Sequence, residues 1–204
     1  MVVQIEFPEL EVPARILLGT AGSGFSAQDY WDFCAANPDL RTELNAQGEI
    51  VIVPPAGGES SYRSSSVSGQ LGEWARRDGR GKVFDSSAGF VLPNGAVYAP
   101  DAAWVANAKL QTLSKDQRRK FLPVVPEFVV EVMSPSDRLP AAKAKAQEWL
   151  DAGSELVWLI DADHRTVFIY RPNVAPSTWA FSELAGEGAV EGFVLQLDEI
   201  WEGL

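Results

Sequence analysis

The stretch PEFVVEVMSPSDRLPAAKAKAQEWLDAGSELVWLID, residues 126–161, constrains the fold more than any other part of the chain. FVVEVM at 128–133 is nearly all β-branched or aromatic, the pattern of a strand buried on both faces of a sheet. Between 139 and 152, Ala142, Ala146, Trp149 and Leu150 fall on one helical stripe, and Gly153 stands where a C-cap belongs. LVWLID at 156–161 is a second buried strand. Strand, helix and strand in that order form a βαβ unit, which implies parallel, right-handed pairing.

Other elements assemble around this unit. Ser26 followed by Asp29 reads as a helix start for AQDYWDFCAA, which ends before Pro38. RTELNAQGEIVIVPP reads as a hairpin turning at Asn45–Gly48 and stopped by Pro54 and Pro55. Val67, Leu71 and Trp74 recur at helical spacing within 61–78. A second hairpin is expected from KVFDSSAGFVL through Pro93-Asn94-Gly95 to AVYAPDAAWV. SKDQRRK is a short solvated helix or loop, and TVFIYRP is an antiparallel neighbour of LVWLID. The whole reads as one α/β domain, a mixed β-sheet flanked by helices. Residues 1–25 are an N-terminal extension, 26–172 the core, and 173–204 a C-terminal extension packed on it as a loop with a strand or short helix.

Composition narrows the function classes. With 204 residues and 46% apolar content, one sizeable core is expected. No apolar run approaches the ~18 residues that span a bilayer. The N-terminus has acids where a secretory signal has Lys or Arg, so a soluble, cytoplasmic protein is expected. Cys34 is the only cysteine, which excludes an internal disulfide and a Cys-based zinc site. The net charge of −11 argues against generic nucleic-acid binding. That charge is concentrated at the ends: residues 1–50 and 172–204 carry −6 each, and residues 51–171 carry +1.

Two acids stand out. Glu131 lies mid-strand on the face of Val129 and Met133, where an isolated carboxylate must be paired, protonated or metal-bound. Asp101 lies among apolar and small neighbours in AVYAPDAAWV. Together they could converge on a hard divalent cation such as Mg²⁺ or Mn²⁺, or they could be a salt-bridged core residue and a turn cap. Lys145 and Lys143 flank opposite edges of the apolar helical stripe, and helical geometry alone does not choose between them. Either could simply lay its stem over the core. Arg76, Arg77, Arg80 and Lys82 form a basic cluster that reads as a helix end or a phosphate-binding edge. Ser134 and Ser136 have no base at hand, since the only histidine, His164, reads as a surface turn residue. A serine hydrolase is therefore disfavoured.

The βαβ stretch, together with LPNGAVYAPDAAWV and DLRTELNAQGEIVIVPPAGGES, resembles the Uma-two family of restriction-endonuclease-like proteins, which have the PD-(D/E)xK nuclease fold. The resemblance covers roughly residues 26–172. It implies Pro100-Asp101 and Glu131 as the acidic motif. The superfamily's usual lysine position is Met133 here. Family members instead place a lysine four residues before an aromatic on the next helix, which implies Lys145 before Trp149; most have Tyr at the latter position. A recurrent hairpin Glu corresponds to Glu43. Gly57-Gly58-Glu59 also matches, whereas serines replace the polar residues usual beyond Arg63. The resemblance thus implies an Mg²⁺-dependent (or Mn²⁺-dependent) endodeoxyribonuclease acting on DNA. Asp101, Glu131 and Lys145 would be catalytic, and Asp101, Glu131, the Val132 carbonyl and Glu43 would hold metal. By analogy of fold it implies a homodimer. The alternative is a catalytically silent nuclease-fold protein kept for binding or assembly, which the acidic charge favours and the intact lysine disfavours.

Overall fold

The strand Phe128–Val132 is at the middle of the molecule, and Phe128, Val129 and Val130 are fully buried. The structure, a computed structural model, describes residues 17–18, 24–53 and 55–204. Most of the expected N-terminal extension, and Pro54 of the expected hairpin stop, lie outside these residues. In chain order the elements are β1 (Leu17–Leu18), α1 (Ala27–Ala36), β2 (Thr42–Leu44), β3 (Ile50–Ile52), α2 (Gly58–Asp78), β4 (Gly81–Asp85), β5 (Phe90–Val91), β6 (Val97–Tyr98) and β7 (Ala102–Ala106). There follow α3 (Asn107–Gln111), β8 (Phe128–Val132), α4 (Leu139–Ala152), β9 (Leu156–Asp161), β10 (Thr166–Arg171), β11 (Val174–Trp179), β12 (Glu183–Ala185), β13 (Val194–Gln196) and α5 (Asp198–Glu202).

The central sheet is mixed, in the order β11-β10-β9-β8-β7-β4, and only β8 and β9 are parallel. A smaller antiparallel sheet runs β1-β3-β2-β6-β5, and β12 pairs with β13. The expected βαβ unit is therefore present. Its helix α4 closes at Gly153, whose φ of 118° only glycine adopts without strain. Helix α1 carries a full capping box between Ser26 and Asp29, a device contributing ~1 kcal/mol.

The second expected hairpin needs correction. Only β5 and β6 meet across the Pro93–Gly95 turn. The flanking segments β4 and β7 pair with each other in the central sheet, Asp85 opposite Ala102. A turn in which Asp85 Oδ1 accepts from the Ser87 N–H ends β4 and sends the chain into the other sheet. Helix α2 also starts three residues earlier than expected, at Gly58.

Alternation along the strands sorts the core into two faces. Ala102, Trp104, Phe128, Val130 and Trp158 pack against α2 and the C-terminal residues Leu184, Phe193, Leu195 and Ile200. Ala103, Val105, Val129, Val157 and Leu159 pack against Ala146 and Trp149 of α4. The small sheet joins this second face through Phe90 and Tyr98, while Tyr30 of α1 covers Leu44, Ile50 and Val97. Among the described residues no helix is long and apolar enough to cross a membrane.

Candidate active site

Ala102 stands opposite Val130 in the antiparallel β7–β8 pair. Continuing that register sets Asp101 opposite Glu131, and directly opposed residues project from the same sheet face. For Glu131 it is the α4 face; Asp101 precedes β7, and its carboxyl also feels the Ser64 hydroxyl of α2. Asp101 sits just before β7 begins, where Pro100 breaks the ladder. Its Oδ2 accepts from the Val132 N–H at 2.8 Å, and its own carbonyl accepts from Ser68 Oγ of α2 at 2.9 Å. The same register puts Val132 opposite Pro100, which has no N–H to offer the Val132 carbonyl.

Helix α4 supplies the donors. Lys145 and Trp149, one turn apart, both reach Glu131. Trp149 Nε1 donates to Glu131 Oε1 at 2.8 Å, and Lys145 Nζ lies 3.3 Å from the same oxygen. Lys145 also bonds Glu43 Oε1 at 2.9 Å, which reaches in from β2 of the small sheet. The Ala99 N–H donates to that same oxygen at 3.3 Å. The Tyr98 ring lies 5.2 Å from the ammonium, and its hydroxyl donates to Glu148 at 2.8 Å. The structure thus brings Glu43, Glu131 and Lys145 into direct contact, with Asp101 at the edge of the same cluster. Lys143 goes elsewhere, its Nζ lying 4.0 Å over the Phe168 ring.

Only 12% of the Glu131 side chain and 26% of Lys145 remain exposed, so charge effects here are weakly screened. Burial pushes the Glu131 carboxyl up to about 7; Lys145 opposes the rise, and Asp101 and Glu43 add to it. Burial likewise raises Asp101, against the Val132 N–H and the Lys145 charge. Burial alone would lower Lys145, but Glu131 and Glu43 outweigh it and hold the amine firmly protonated. Two acids thus share one ammonium, with Asp101 near enough to add to the local negative charge.

The other flagged residues lie apart. Arg77 pairs with Glu73 and Arg80 with Asp78, at the far end of α2. Arg77 is nine residues beyond Ser68, roughly 14 Å along the helix. Glu59 is tied to the buried Arg63 at 3.0 Å. Cys34 is partly buried on α1. His164 is exposed, as expected, yet its ring is bonded to the buried Asp161. Two contributors escaped the sequence reading: Trp149 as a donor to Glu131, and Ser68 as the anchor of Asp101. The first had a signal, because a Lys and an aromatic at i and i+4 present to one spot. The second had none, because it depends on where α2 packs. Among the described residues no three His, Cys, Asp or Glu side chains form a preassembled metal cluster.

A family model described as "Putative restriction endonuclease" (Uma2) matches residues 27–198. The match runs beyond residue 172 into β11 to α5. A crystal structure from Anabaena variabilis ATCC 29413, described as "a putative nuclease belonging to DUF820", is similar in fold at 16% identity. Its TM-score is 0.71, over 87% of this chain and 98% of that one. No curated protein matches the sequence.

Proposed function

The chain belongs to the Uma2 family of restriction-endonuclease-like proteins, and from that premise we propose that it hydrolyses DNA phosphodiester bonds with Mg²⁺ or Mn²⁺. The observation that supports this best is the buried Glu131, facing Asp101 across one strand pair and touched by Lys145. These residues fit a hard cation. Asp101 and Glu131 offer carboxylate oxygens, Val132 a carbonyl opposite Pro100, and Glu43 a further carboxylate behind the ammonium. When bound, such an ion would lower the pKa of a coordinated water and polarise the phosphoryl oxygen.

The protein's own groups do the rest. The Val132 N–H holds one oxygen of Asp101 and Trp149 holds one oxygen of Glu131, which orients both carboxylates. Lys145, held protonated by its acids, orients the attacking water and offsets charge developing on the phosphate.

A second reading, an inert nuclease-fold binding module, is favoured by one observation. The ammonium of Lys145 already stands between Glu43 and Glu131, and no metal cluster is preassembled among the described residues. One assay separates the two readings: single-stranded, duplex and branched DNA incubated with Mg²⁺ or Mn²⁺, for the wild type, Asp101→Ala and Glu131→Ala. Metal-dependent cleavage lost in both variants is expected. Cleavage by either variant at the wild-type rate refutes the mechanism. No cleavage, with no Mn²⁺ binding at millimolar concentration by calorimetry, establishes the inert module.

A further inference from the structure

A second polar cluster lies one strand over from Glu131. In the parallel β8–β9 pair Glu131 is beside Leu159. Asp161, two residues on, therefore shares Glu131's face and lies roughly 8 Å away, one strand spacing across and two residues along. Its side chain is only 8% exposed, a position that requires a partner. The partner is His164, the chain's only histidine. Its Nδ1 lies 2.9 and 3.0 Å from the two Asp161 oxygens, and its backbone N–H donates to Oδ1 at 3.3 Å. Donation to a carboxylate puts the proton on Nδ1, which leaves Nε2 on a ring that is 80% exposed.

A turn cap would need only the backbone N–H. The ring instead borders a cleft of about 330 Å³, together with the hydroxyls of Ser134 and Thr166 and the apolar side chains of Met133, Leu139 and Phe168. Three carboxylates border it too, and each has a partner. Asp161 has His164, Asp163 is held by the buried Arg63 at 2.9 Å, and Asp137 accepts from the Ser134 N–H and Oγ at 2.7 and 2.8 Å. Four apolar and six polar residues line it, so it can take a flat ring on one side and a polar group on the other.

We propose that this cleft holds one nucleotide unit of the substrate strand, with its phosphate on His164 Nε2 and its sugar or base against Met133, Leu139 and Phe168. The assignment rests on the nuclease reading of the neighbouring carboxylates, from which the cleft lies about one nucleotide away. Asp161, by its hydrogen bond and then its charge, raises the imidazole above its usual range and so favours the cationic donor near neutral pH.

Because His164 is the only histidine, its C2–H proton gives one resolved NMR signal. The metal-free protein is titrated with the 5′-phosphorylated thymidine dinucleotide, and separately with inorganic phosphate and sulfate at matched ionic strength. A saturable shift with the dinucleotide at concentrations where the two inorganic ions produce none is expected. A raised His164 pKa is expected with it. His164→Gln, confirmed folded by the rest of its NMR spectrum, should weaken dinucleotide binding by about tenfold, the scale of one charge-assisted hydrogen bond. An unmoved signal, equal shifts from sulfate, or full affinity in His164→Gln overturns the proposal. The two readings fail separately: DNA cleavage with a silent His164 sinks only this subsite, and a responsive His164 without cleavage sinks only the nuclease.

Discussion

Replacing Glu131 by Gln should make the metal-free protein more stable at pH 8, although it removes a group that contacts both Lys145 and Trp149. Glutamine is nearly isosteric, and its carbonyl can still accept from Trp149 Nε1. The difference is the charge. Burial raises the Glu131 carboxyl from 4.5 to about 7 in the folded protein. The folded state therefore binds this proton more tightly than the unfolded chain does. Stability falls as pH rises from about 4.5 to about 7 and is level above that. At 1.36 kcal/mol per pKa unit, the cost of ionising Glu131 in the folded state is about 3 kcal/mol. Glu131→Gln escapes that cost, so it should gain up to about 3 kcal/mol at pH 8 and little at pH 4.5. For a chain of this size that is roughly 6–12 °C in melting temperature. Thermal unfolding of both proteins in metal chelator across this range is the assay. A difference independent of pH, or a variant less stable than wild type at pH 8, refutes the claim that burial outweighs the lysine.

Lys145→Ala leaves Glu43 and Glu131 without their shared cation, and should cost about 3 kcal/mol at pH 8 and abolish cleavage. Chemical denaturation together with the nuclease assay checks it. Mn²⁺ should raise the melting temperature of the wild type at pH 8 but not that of Asp101→Asn, which a thermal-shift titration reads directly. Trp149→Phe keeps the buried ring but loses the donor to Glu131, and should lower Mn²⁺ affinity by about tenfold or more in calorimetry. Gly81→Ala would set a Cβ 2.3 Å from the Trp104 ring, so a loss of roughly 1–3 kcal/mol by chemical denaturation is expected.

How much of this was legible in the sequence depends on whether the information is local. The βαβ unit was readable because both its strands are buried on both faces and its helix carries its own glycine stop. The nested β4–β7 and β5–β6 pairs were not. Proximity in sequence suggests a single hairpin, whereas Asp85 and Pro100 divide the segment between two sheets. The C-terminal segment offered no strong periodicity, yet it supplies Phe193, Leu195, Leu197 and Ile200 to the core, because its short strands and helix bury these residues against the distant α2 and central sheet. The same division runs through the candidate site. An acid in the middle of an apolar strand marks Glu131 from sequence alone. Which lysine meets it is set by the rotation of α4, and that rotation is fixed by burying Ala146 and Trp149. With those two inside, Lys145 turns to Glu131 and Lys143 to Phe168. Glu43 is the least local of all: it belongs to another sheet, and only the closure of that sheet on α4 brings it to the ammonium. A cluster assembled from two sheets and a helix can be loosened by a small shift of any one of them, so a cation drawing Glu131 toward Asp101 would also move Lys145 relative to Glu43. The ammonium is thus both the counter-charge of Glu43 and Glu131 and the group best placed to respond to a bound cation.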